Sequence, residues 1–243
     1  MPEGPSIVIL KEKVRQFTGM KIIAMEGNSK IDKNRFVNLT VTDFKSWGKH
    51  FLICFEDLTI RIHLMMFGSY EINEQKDRPA RLSLKFENGE INFYSCSVKI
   101  IEEAIDQVYD FSSDVMSDAW DPGKAKKKLK ASSADLICDA LLNQEIFSGV
   151  GNIIKNEVLY RIRVHPESTI GKIPARKITS LVNEARKYSF DFLEWKKKYE
   201  LKKHWLAYAK KVCLRCNLPI IRKHTGLKHR RSFFCINCQK LYI

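Results

Sequence analysis

Four cysteines near the C-terminus constrain this chain more than any other feature of its sequence. They form two Cys-x2-Cys pairs, Cys213 with Cys216 and Cys235 with Cys238, and 18 residues separate the pairs. Each pair places two thiolates on one tight turn, and a tetrahedral ion joins the two turns, which is the spacing of a four-cysteine zinc site. The segment between the pairs is too short and too β-like for a helical finger, so we predict a two-stranded zinc ribbon. Because four cysteines close the coordination shell, the one Zn²⁺ expected per chain is structural.

The other three cysteines do not extend this pattern. Cys54, Cys96 and Cys138 are isolated in the sequence, and the total of seven cysteines is odd. A disulfide framework is therefore not expected. We predict that these three side chains are buried as small hydrophobic groups.

The positive charge of the chain is concentrated in its second half. Residues 1–123 hold 15 basic and 19 acidic side chains, whereas residues 124–243 hold 27 and 9, a net charge of +18. This excess is larger than solubility requires and indicates a polyanionic partner bound mainly by the second half. A solvated basic surface is the alternative interpretation.

No segment predicts a membrane or secretory destination. The longest apolar runs, such as 51–55, are far shorter than the ~20 residues that span a bilayer, and the N-terminus lacks a signal-peptide pattern. We therefore expect no membrane partner. The expected location is the cytoplasm, in association with the nucleoid of a bacterium, or the nucleus of a eukaryote.

Hydrophobic periodicity predicts an α+β fold with two lobes. Apolar residues at 7, 10, 14 and 17 predict an N-terminal helix, and alternating runs from about 20 to 101 predict an antiparallel β-sandwich, with Asn88-Gly89 as a hairpin turn. A boundary is expected at Asp121-Pro122-Gly123, and most of 133–200 is predicted to be helical. The predicted domains are the helix and sandwich at 1–123, a helical lobe at 124–206 and the ribbon at 207–243.

The extreme N-terminus carries a candidate nucleophile. Without Met1, Pro2 presents a secondary amine whose pKa is roughly 7.7–8.0, so much of it is unprotonated near neutral pH. Such an amine forms a Schiff base with a sugar carbon, and Glu3 is placed to donate or accept a proton. A stiff, extended start to the chain is the alternative interpretation of these prolines.

A glycine-rich turn precedes one of the predicted helices. Ser148-Gly149-Val150-Gly151 interrupts the helical pattern, and we expect Asn152 to cap the helix that follows. Backbone N–H groups at a helix start favour a phosphate, although a glycine turn between helices is also a common structural feature.

These features, in this order, resemble the family of formamidopyrimidine-DNA glycosylase and endonuclease VIII. That family begins with Pro-Glu-Gly-Pro, contains a helix–two-turn–helix with Gly-[Val/Leu]-Gly-Asn, and ends in a four-cysteine zinc ribbon. The resemblance covers nearly the whole chain. It implies a bifunctional DNA glycosylase and AP lyase of base excision repair that acts on damaged DNA as a monomer, with the sandwich lobe catalytic and the helical lobe binding DNA.

The resemblance also implies roles for particular residues. Pro2 matches the Schiff-base nucleophile and Glu3 the adjacent proton donor. Lys49 matches a lysine that contacts phosphate and donates a proton during β-elimination. Asn152 matches a phosphate-binding asparagine, and Arg230, five residues before Cys235, matches the ribbon arginine for phosphate and δ-elimination.

Three further expectations follow from the same resemblance. Arg231 is the alternative to Arg230 if the register differs by one residue. The segment 63–68 is similar to the loop that fills the void left by a flipped nucleotide, which implies DNA contacts for Met65, Met66 and Phe67. A buried strand is the alternative for that segment.

The chain departs from the formamidopyrimidine branch in ways that favour the endonuclease VIII branch. Ser6 replaces the glutamate common in the family, 190–212 is short for a loop that caps oxidised guanine, and an arginine–phenylalanine intercalating motif is not apparent near 94–103. Gln144, an expected DNA contact, and Tyr94-Ser95-Cys96-Ser97 look more like endonuclease VIII. We therefore expect oxidised pyrimidines as preferred substrates and no redox cofactor. The alternatives are an oxidised-purine glycosylase for 8-oxoguanine and formamidopyrimidine, and a non-catalytic zinc-ribbon protein that binds damaged DNA.

Overall fold

The computed structural model describes residues 2–243, which form two compact units that divide between Asp110 and Phe111. The first unit begins with helix α1 (Gly4–Val14). Its apolar residues Ile7, Leu10 and Val14 are fully buried, as the three- and four-residue spacing predicts. The expected N-terminal helix is therefore confirmed.

Two antiparallel four-stranded sheets make up the rest of the first unit. One sheet has the order β1-β6-β7-β5 and the other has the order β2-β3-β4-β8. The strands are β1 (Ala24–Glu26), β2 (Asp43–Trp47), β3 (His50–Cys54), β4 (Thr59–His63), β5 (Ser69–Ile72), β6 (Leu82–Phe86), β7 (Gly89–Tyr94) and β8 (Ser97–Ile101). A short helix, α2 (Ile105–Val108), follows them. Side chains from α1 and from both sheets form one hydrophobic core, so the predicted sandwich is confirmed.

The hairpin between β6 and β7 is present, but its turn lies one residue earlier than predicted. Phe86 pairs directly with Gly89, so the two loop residues are Glu87 and Asn88. The side chain of Asn73 stabilises this register, because its Oδ1 accepts a hydrogen bond from the Glu90 N–H at 2.9 Å. The turn expected at Asn88-Gly89 is therefore wrong by one residue.

The second unit is helical and ends in a β-hairpin. Its helices are α3 (Pro122–Ala131), α4 (Ile137–Ala140), α5 (Asn152–Ile162) and α6 (Ala175–Lys197), and the hairpin strands are β9 (Ile221–Thr225) and β10 (Arg230–Phe234). Helix α5 packs against both α6 and β10. The two strands of the predicted ribbon are therefore confirmed.

The division between the units lies before the boundary expected at 121–123. The segment that starts at Phe111 already packs with the second unit: Ser148 N donates to the Ser113 carbonyl at 2.8 Å, and Val115 is fully buried in the helical core. The tripeptide Asp121-Pro122-Gly123 instead begins α3, where the Asp121 carboxylate accepts from the N–H groups of Gly123 and Lys124. The tripeptide that was predicted to mark a domain boundary therefore caps the start of a helix.

The helical lobe and the ribbon also form one compact unit, although the sequence predicted a division near 206. Polar side chains of α5 bind the backbone of β10 directly, which joins the two segments. Within residues 2–243, no helix combines the length and the apolar character that a bilayer crossing demands.

Candidate functional site

The predicted nucleophile and proton donor lie at the start of α1. Pro2 is partly exposed, and Glu3, directly before the helix, is fully buried. The extended backbone of Glu3 places its carbonyl to accept the Ser6 N–H at 2.8 Å. The Ser6 hydroxyl is buried and has no hydrogen-bond partner within residues 2–243, at the position where the resemblance expects a glutamate. Met1, on whose removal the amine depends, lies outside the described residues.

Lys49 lies in the two-residue turn that joins β2 and β3. Trp47 pairs with His50 across this turn, and Gly48 at its first position has a φ of +53°. Glycine at the first position with a positive φ is the arrangement of a type II′ hairpin turn. Helix α1 packs against both β2 and β3, so the structure places Lys49 and the N-terminal residues on elements that share one core.

A cluster of rings and cations lies beside Lys49 and was not predicted. His50 faces His63 across β3 and β4, with ring centroids 5.2 Å apart, and the Tyr109 hydroxyl lies 3.2 Å from His50 Nδ1. Burial, and then the charges of Arg61, His63 and Lys49, lower the pKa of His50 to about 3. His50 is therefore neutral at physiological pH and stabilises the cluster without adding another positive charge.

The depressed pKa of His50 makes the stability of the fold depend on pH. Unfolding restores the ordinary pKa of 6.5, so the unfolded chain binds the extra proton and stability falls as the pH drops from 6.5 towards 3. Between pH 6.5 and 5 we expect this group to remove roughly 1.5 kcal/mol of unfolding free energy. The variant His50→Gln keeps an acceptor for Tyr109 but cannot take up this proton when it unfolds. Between pH 6.5 and 5, its unfolding free energy in urea titrations should therefore fall by roughly 1.5 kcal/mol less than that of the wild type. His229→Asn, at an exposed position, is the control and should show the same pH dependence of stability as the wild type. If the unfolding free energies of His50→Gln and the wild type fall in parallel with pH, His50 does not have a lowered pKa in the folded protein.

The loop between β4 and β5 presents three apolar side chains to solvent. Met65, Met66 and Phe67 are 51%, 48% and 81% exposed, and Met65 has a φ of +53°. The alternative of a buried strand for this segment is therefore wrong. Exposed apolar side chains at a loop tip have the chemistry of a wedge between bases, and their contact with DNA stays a prediction.

Asn152 is placed differently from the expected helix cap. Gly151 is the N-cap residue of α5, and Asn152 is the first residue inside the helix. Asn152 therefore lies one position too late to be the cap, and its side-chain Nδ2 donates to the Arg231 carbonyl at 3.0 Å. The predicted capping role is thus wrong, and a phosphate contact of Asn152 stays a prediction.

Gln144 organises the turn before α5. Its Nε2 donates to the carbonyls of Leu142 and Val150 at 3.0 and 3.2 Å, and its Oε1 accepts the Gly149 N–H at 3.1 Å. These hydrogen bonds connect Gln144 to the backbone of the glycine-rich turn and stabilise its conformation. A direct contact of Gln144 with DNA stays a prediction.

Three buried polar residues of α5 connect the helical lobe to the ribbon, and sequence reasoning missed them. Lys155 Nζ donates to Ser232 Oγ at 2.9 Å, and Asn156 Oδ1 accepts the Phe233 N–H at 2.8 Å. The Glu157 carboxylate accepts backbone N–H groups of residues 206–208 at 2.8 to 3.0 Å. A run of Lys-Asn-Glu inside an otherwise apolar helix was the available signal, because buried polar groups need partners.

The four cysteines of the ribbon converge on one point. Their sulfur atoms all lie within 4.8 Å of one another, and Cys213–Cys238 and Cys216–Cys235 are separated by 3.8 and 3.5 Å. Tetrahedral zinc with bonds of about 2.3 Å separates its sulfur ligands by about 3.8 Å, so the four side chains fit the ion. Burial alone raises the pKa of Cys213, but hydrogen bonds from Tyr160 and from backbone N–H groups lower it to about 6, which favours the thiolate that binds metal.

The two candidate arginines occupy consecutive positions of β10 and therefore face opposite sides of the hairpin. Arg230 pairs with Thr225 and is half-buried, whereas Arg231 pairs with His224 and is exposed. Two other basic residues of the ribbon are already engaged: Lys223 pairs with Glu167 at 2.9 Å, and Lys228 Nζ donates to the Leu142 carbonyl at 2.9 Å.

Cys54, Cys96 and Cys138 are buried, as predicted, and lie away from the four-cysteine cluster in sequence. Burial raises the pKa of all three thiols. They are therefore protonated, weakly nucleophilic core residues.

Comparison with known protein families gives two matches that together cover most of the chain. Residues 1–97 match the formamidopyrimidine-DNA glycosylase N-terminal domain, and residues 111–192 match the formamidopyrimidine-DNA glycosylase H2TH domain. The second match begins where the structure begins its second unit.

Similar proteins come from both eukaryotes and bacteria. The chain is 29% identical to endonuclease 8-like 3 of Xenopus laevis over 90% of its own length and 38% of that protein, and 26% identical to the probable endonuclease 8 2 of Streptomyces coelicolor over 98% and 94%. The chain thus spans little more than a third of that endonuclease 8-like 3. Its fold is similar to that of a viral DNA glycosylase, with a TM-score of 0.84 and 22% identity over 98% of this chain and 100% of the other. It is also similar to the formamidopyrimidine-DNA glycosylase of Lactococcus lactis bound to DNA with an AP site, with a TM-score of 0.85 and 21% identity over 98% and 99%.

Proposed function

The chain belongs to the formamidopyrimidine-DNA glycosylase and endonuclease VIII family, and on that premise we propose that it excises oxidised bases from DNA and cuts the strand. The observation that supports this most is the N-terminus: a partly exposed Pro2 directly before a fully buried Glu3 at the start of α1. A secondary amine beside a carboxylate shielded from water is suited to covalent chemistry with an acid–base partner.

The proposed reaction begins with attack of the Pro2 nitrogen on C1′ of a flipped nucleotide. The bond from C1′ to the base breaks, and the base leaves with a proton supplied by way of Glu3. Opening of the sugar ring at the C1′–O4′ bond, with a proton passing from the amine to O4′, then gives an iminium. The iminium acidifies the proton at C2′, and loss of that proton expels the 3′ phosphate by β-elimination, for which Lys49 is the proposed proton donor. A second elimination expels the 5′ phosphate, and water then hydrolyses the imine to release Pro2. The iminium nitrogen accepts the electron pair left at C2′, so the steps need no redox cofactor.

This chemistry requires an unacylated Pro2 nitrogen. While Met1 is attached, that nitrogen belongs to an amide and has no lone pair available for attack. We therefore propose that the active protein has lost Met1. A bound structural zinc would hold the ribbon fold through Cys213, Cys216, Cys235 and Cys238, and it takes no part in these steps.

We propose that the second unit binds damaged DNA. We also propose that the protein acts as a monomer. The glycine-rich turn at the start of α5, the asparagine that follows it and Arg230 of the ribbon are the proposed donors for phosphates. The proposed cellular location is the bacterial nucleoid or the eukaryotic nucleus, where such DNA is found.

Arg230 is the proposed phosphate contact of the ribbon. Arg230→Ala should weaken DNA binding and reduce the slope of log Kd against log salt by about one unit, because one fewer counterion is released. It should also reduce strand cutting by δ-elimination more than base release. Arg231→Ala, on the opposite face of the same strand, is the matched control. If Arg231→Ala gives these changes and Arg230→Ala does not, the register of the assignment is wrong by one residue.

We propose oxidised pyrimidines as the preferred lesions. Helix α6 ends at Lys197, and the Glu157 carboxylate binds the backbone of residues 206–208, so the segment before Cys213 is short and anchored. Such a segment leaves little chain for a loop that covers a flipped purine. Oxidised purines are the alternative substrates within the same chemistry.

Single-turnover assays on oligonucleotides with one lesion each test the proposed function. Thymine glycol and dihydrouracil should be released faster than 8-oxoguanine, and an abasic strand should be cut. Faster release of 8-oxoguanine would overturn the pyrimidine preference alone. A protein that binds these oligonucleotides but leaves every strand intact would instead be the non-catalytic ribbon protein.

A further inference from the structure

An aspartate of the helical lobe holds the turn of the zinc-ribbon hairpin. Asp139 lies in the short helix α4, far from the ribbon in sequence, and its carboxylate accepts the N–H groups of Leu227 and Lys228 at 2.8 and 3.2 Å. Both donors belong to the four-residue turn, 226–229, between β9 and β10. Hydrogen bonds from backbone N–H groups to an ionised carboxylate are stronger than neutral ones, so this contact fixes the turn.

The first residue of that turn is shaped for the same carboxylate. Gly226 has a φ of +69°, and a Cβ built on it would lie 2.3 Å from Asp139 Oδ2 and 2.5 Å from Oδ1. A side chain at this position would therefore force the Asp139 carboxylate or the turn to shift, as well as strain the backbone. Lys228 adds a second attachment to the helical lobe through its Nζ bond to the Leu142 carbonyl at 2.9 Å.

Arg230 follows this turn directly and is fixed on its other side as well. The carbonyl of Arg231 accepts Nδ2 of Asn152 at 3.0 Å and Nδ2 of Asn156 at 3.3 Å. The backbone on both sides of Arg230 is thus held by side chains of the helical lobe, by Asp139 before it and by α5 after it.

We propose that Asp139 is a positioning residue for Arg230, a role that rests on the phosphate contact assigned to Arg230 under the proposed function. An arginine on an anchored backbone loses less freedom when it binds a phosphate than one on a mobile hairpin. The carboxylate does not touch DNA; it acts by keeping the turn, and with it the start of β10, in one orientation.

The test is a double-mutant cycle that joins Asp139→Ala and Arg230→Ala. Asp139→Ala should slow δ-elimination about tenfold, as expected when a contact group is misplaced, and should leave one zinc per chain. Asp139→Ala added to Arg230→Ala should cause little further loss, because the aspartate acts through the arginine and has nothing left to position. Asp139→Asn, which keeps one acceptor and nearly the same volume, should give an intermediate rate and serves as the readout if the alanine variant folds poorly.

Asp135→Ala is the matched control. Asp135 is exposed and lines the same cavity of about 590 Å³ as Asp139, but its side chain forms no hydrogen bond within the described chain. It should behave as the wild type. If Arg230→Ala slows δ-elimination but the Asp139 variants match Asp135→Ala, or if the two losses add fully, the positioning role is overturned and the proposed function stands. An Arg230→Ala variant with unchanged salt slope and products would overturn both the arginine assignment and the role of Asp139.

Discussion

Glu3→Gln is expected to bind lesion-containing DNA with nearly unchanged affinity and to release the base about 10²- to 10⁴-fold more slowly, the range typical of a lost general acid or base. Glutamine has the shape of glutamate but cannot shuttle a proton. Shape matters at this position because Glu3 is fully buried at the start of α1. A smaller residue would leave a cavity, and the resulting loss of packing could not be distinguished from the loss of the proton donor.

Glu12→Gln is the matched control for this variant. It makes the same chemical change on the same helix, at an exposed position. Its single-turnover rate of base release should equal that of the wild type. A Glu3→Gln variant that releases the base at the wild-type rate would remove Glu3 from the proposed mechanism.

Cys235→Ser is expected to abolish zinc binding and to unfold the ribbon. Structural zinc binding contributes about 10–16 kcal/mol to the folding of small zinc domains, and the ribbon has only a small core of its own. The damage should extend into the helical lobe, since Lys155 is fully buried and depends on the ribbon residue Ser232 for a hydrogen bond. A buried cation that loses its partner is strongly destabilising.

Metal analysis together with limited proteolysis measures this effect. The wild type should hold one zinc per chain and resist cleavage, whereas Cys235→Ser should hold none and be cut within residues 207–243. Cys54→Ser makes the same change at a buried thiol outside the cluster and should keep its zinc. Wild-type protein that contains no zinc and binds DNA normally would contradict the structural role of the metal.

Local patterns predicted the parts of the molecule that depend on neighbours in sequence. The spacing of Cys213, Cys216, Cys235 and Cys238 predicted a site whose sulfur atoms do converge, and the apolar residues of α1 predicted the buried face of that helix. The alternating strands predicted the sandwich. These features follow from turn geometry and side-chain periodicity, which a short segment determines by itself.

Several of the incorrect or missing predictions involve contacts between distant segments. Asn152 was expected to cap α5, but its amide binds the Arg231 carbonyl 79 residues away. The turn expected at Asn88-Gly89 lies one residue earlier, beside a hydrogen bond from the Glu90 N–H to Asn73. Asp139 has no local pattern that marks it, because its partners lie in the ribbon turn. Side chains that bind backbone groups in this way become visible only once the fold places them together.

The amine of Pro2 is the proposed nucleophile, and trapping with borohydride identifies which nitrogen of the protein bonds to the sugar. The purified protein is incubated with DNA that contains an abasic site, the imine is reduced to a stable amine, and the linked peptide is identified by mass spectrometry. We expect a covalent complex whose chain has lost Met1 and whose attachment lies at the Pro2 nitrogen. Attachment at a lysine such as Lys49, or full activity in protein that retains Met1, would contradict it.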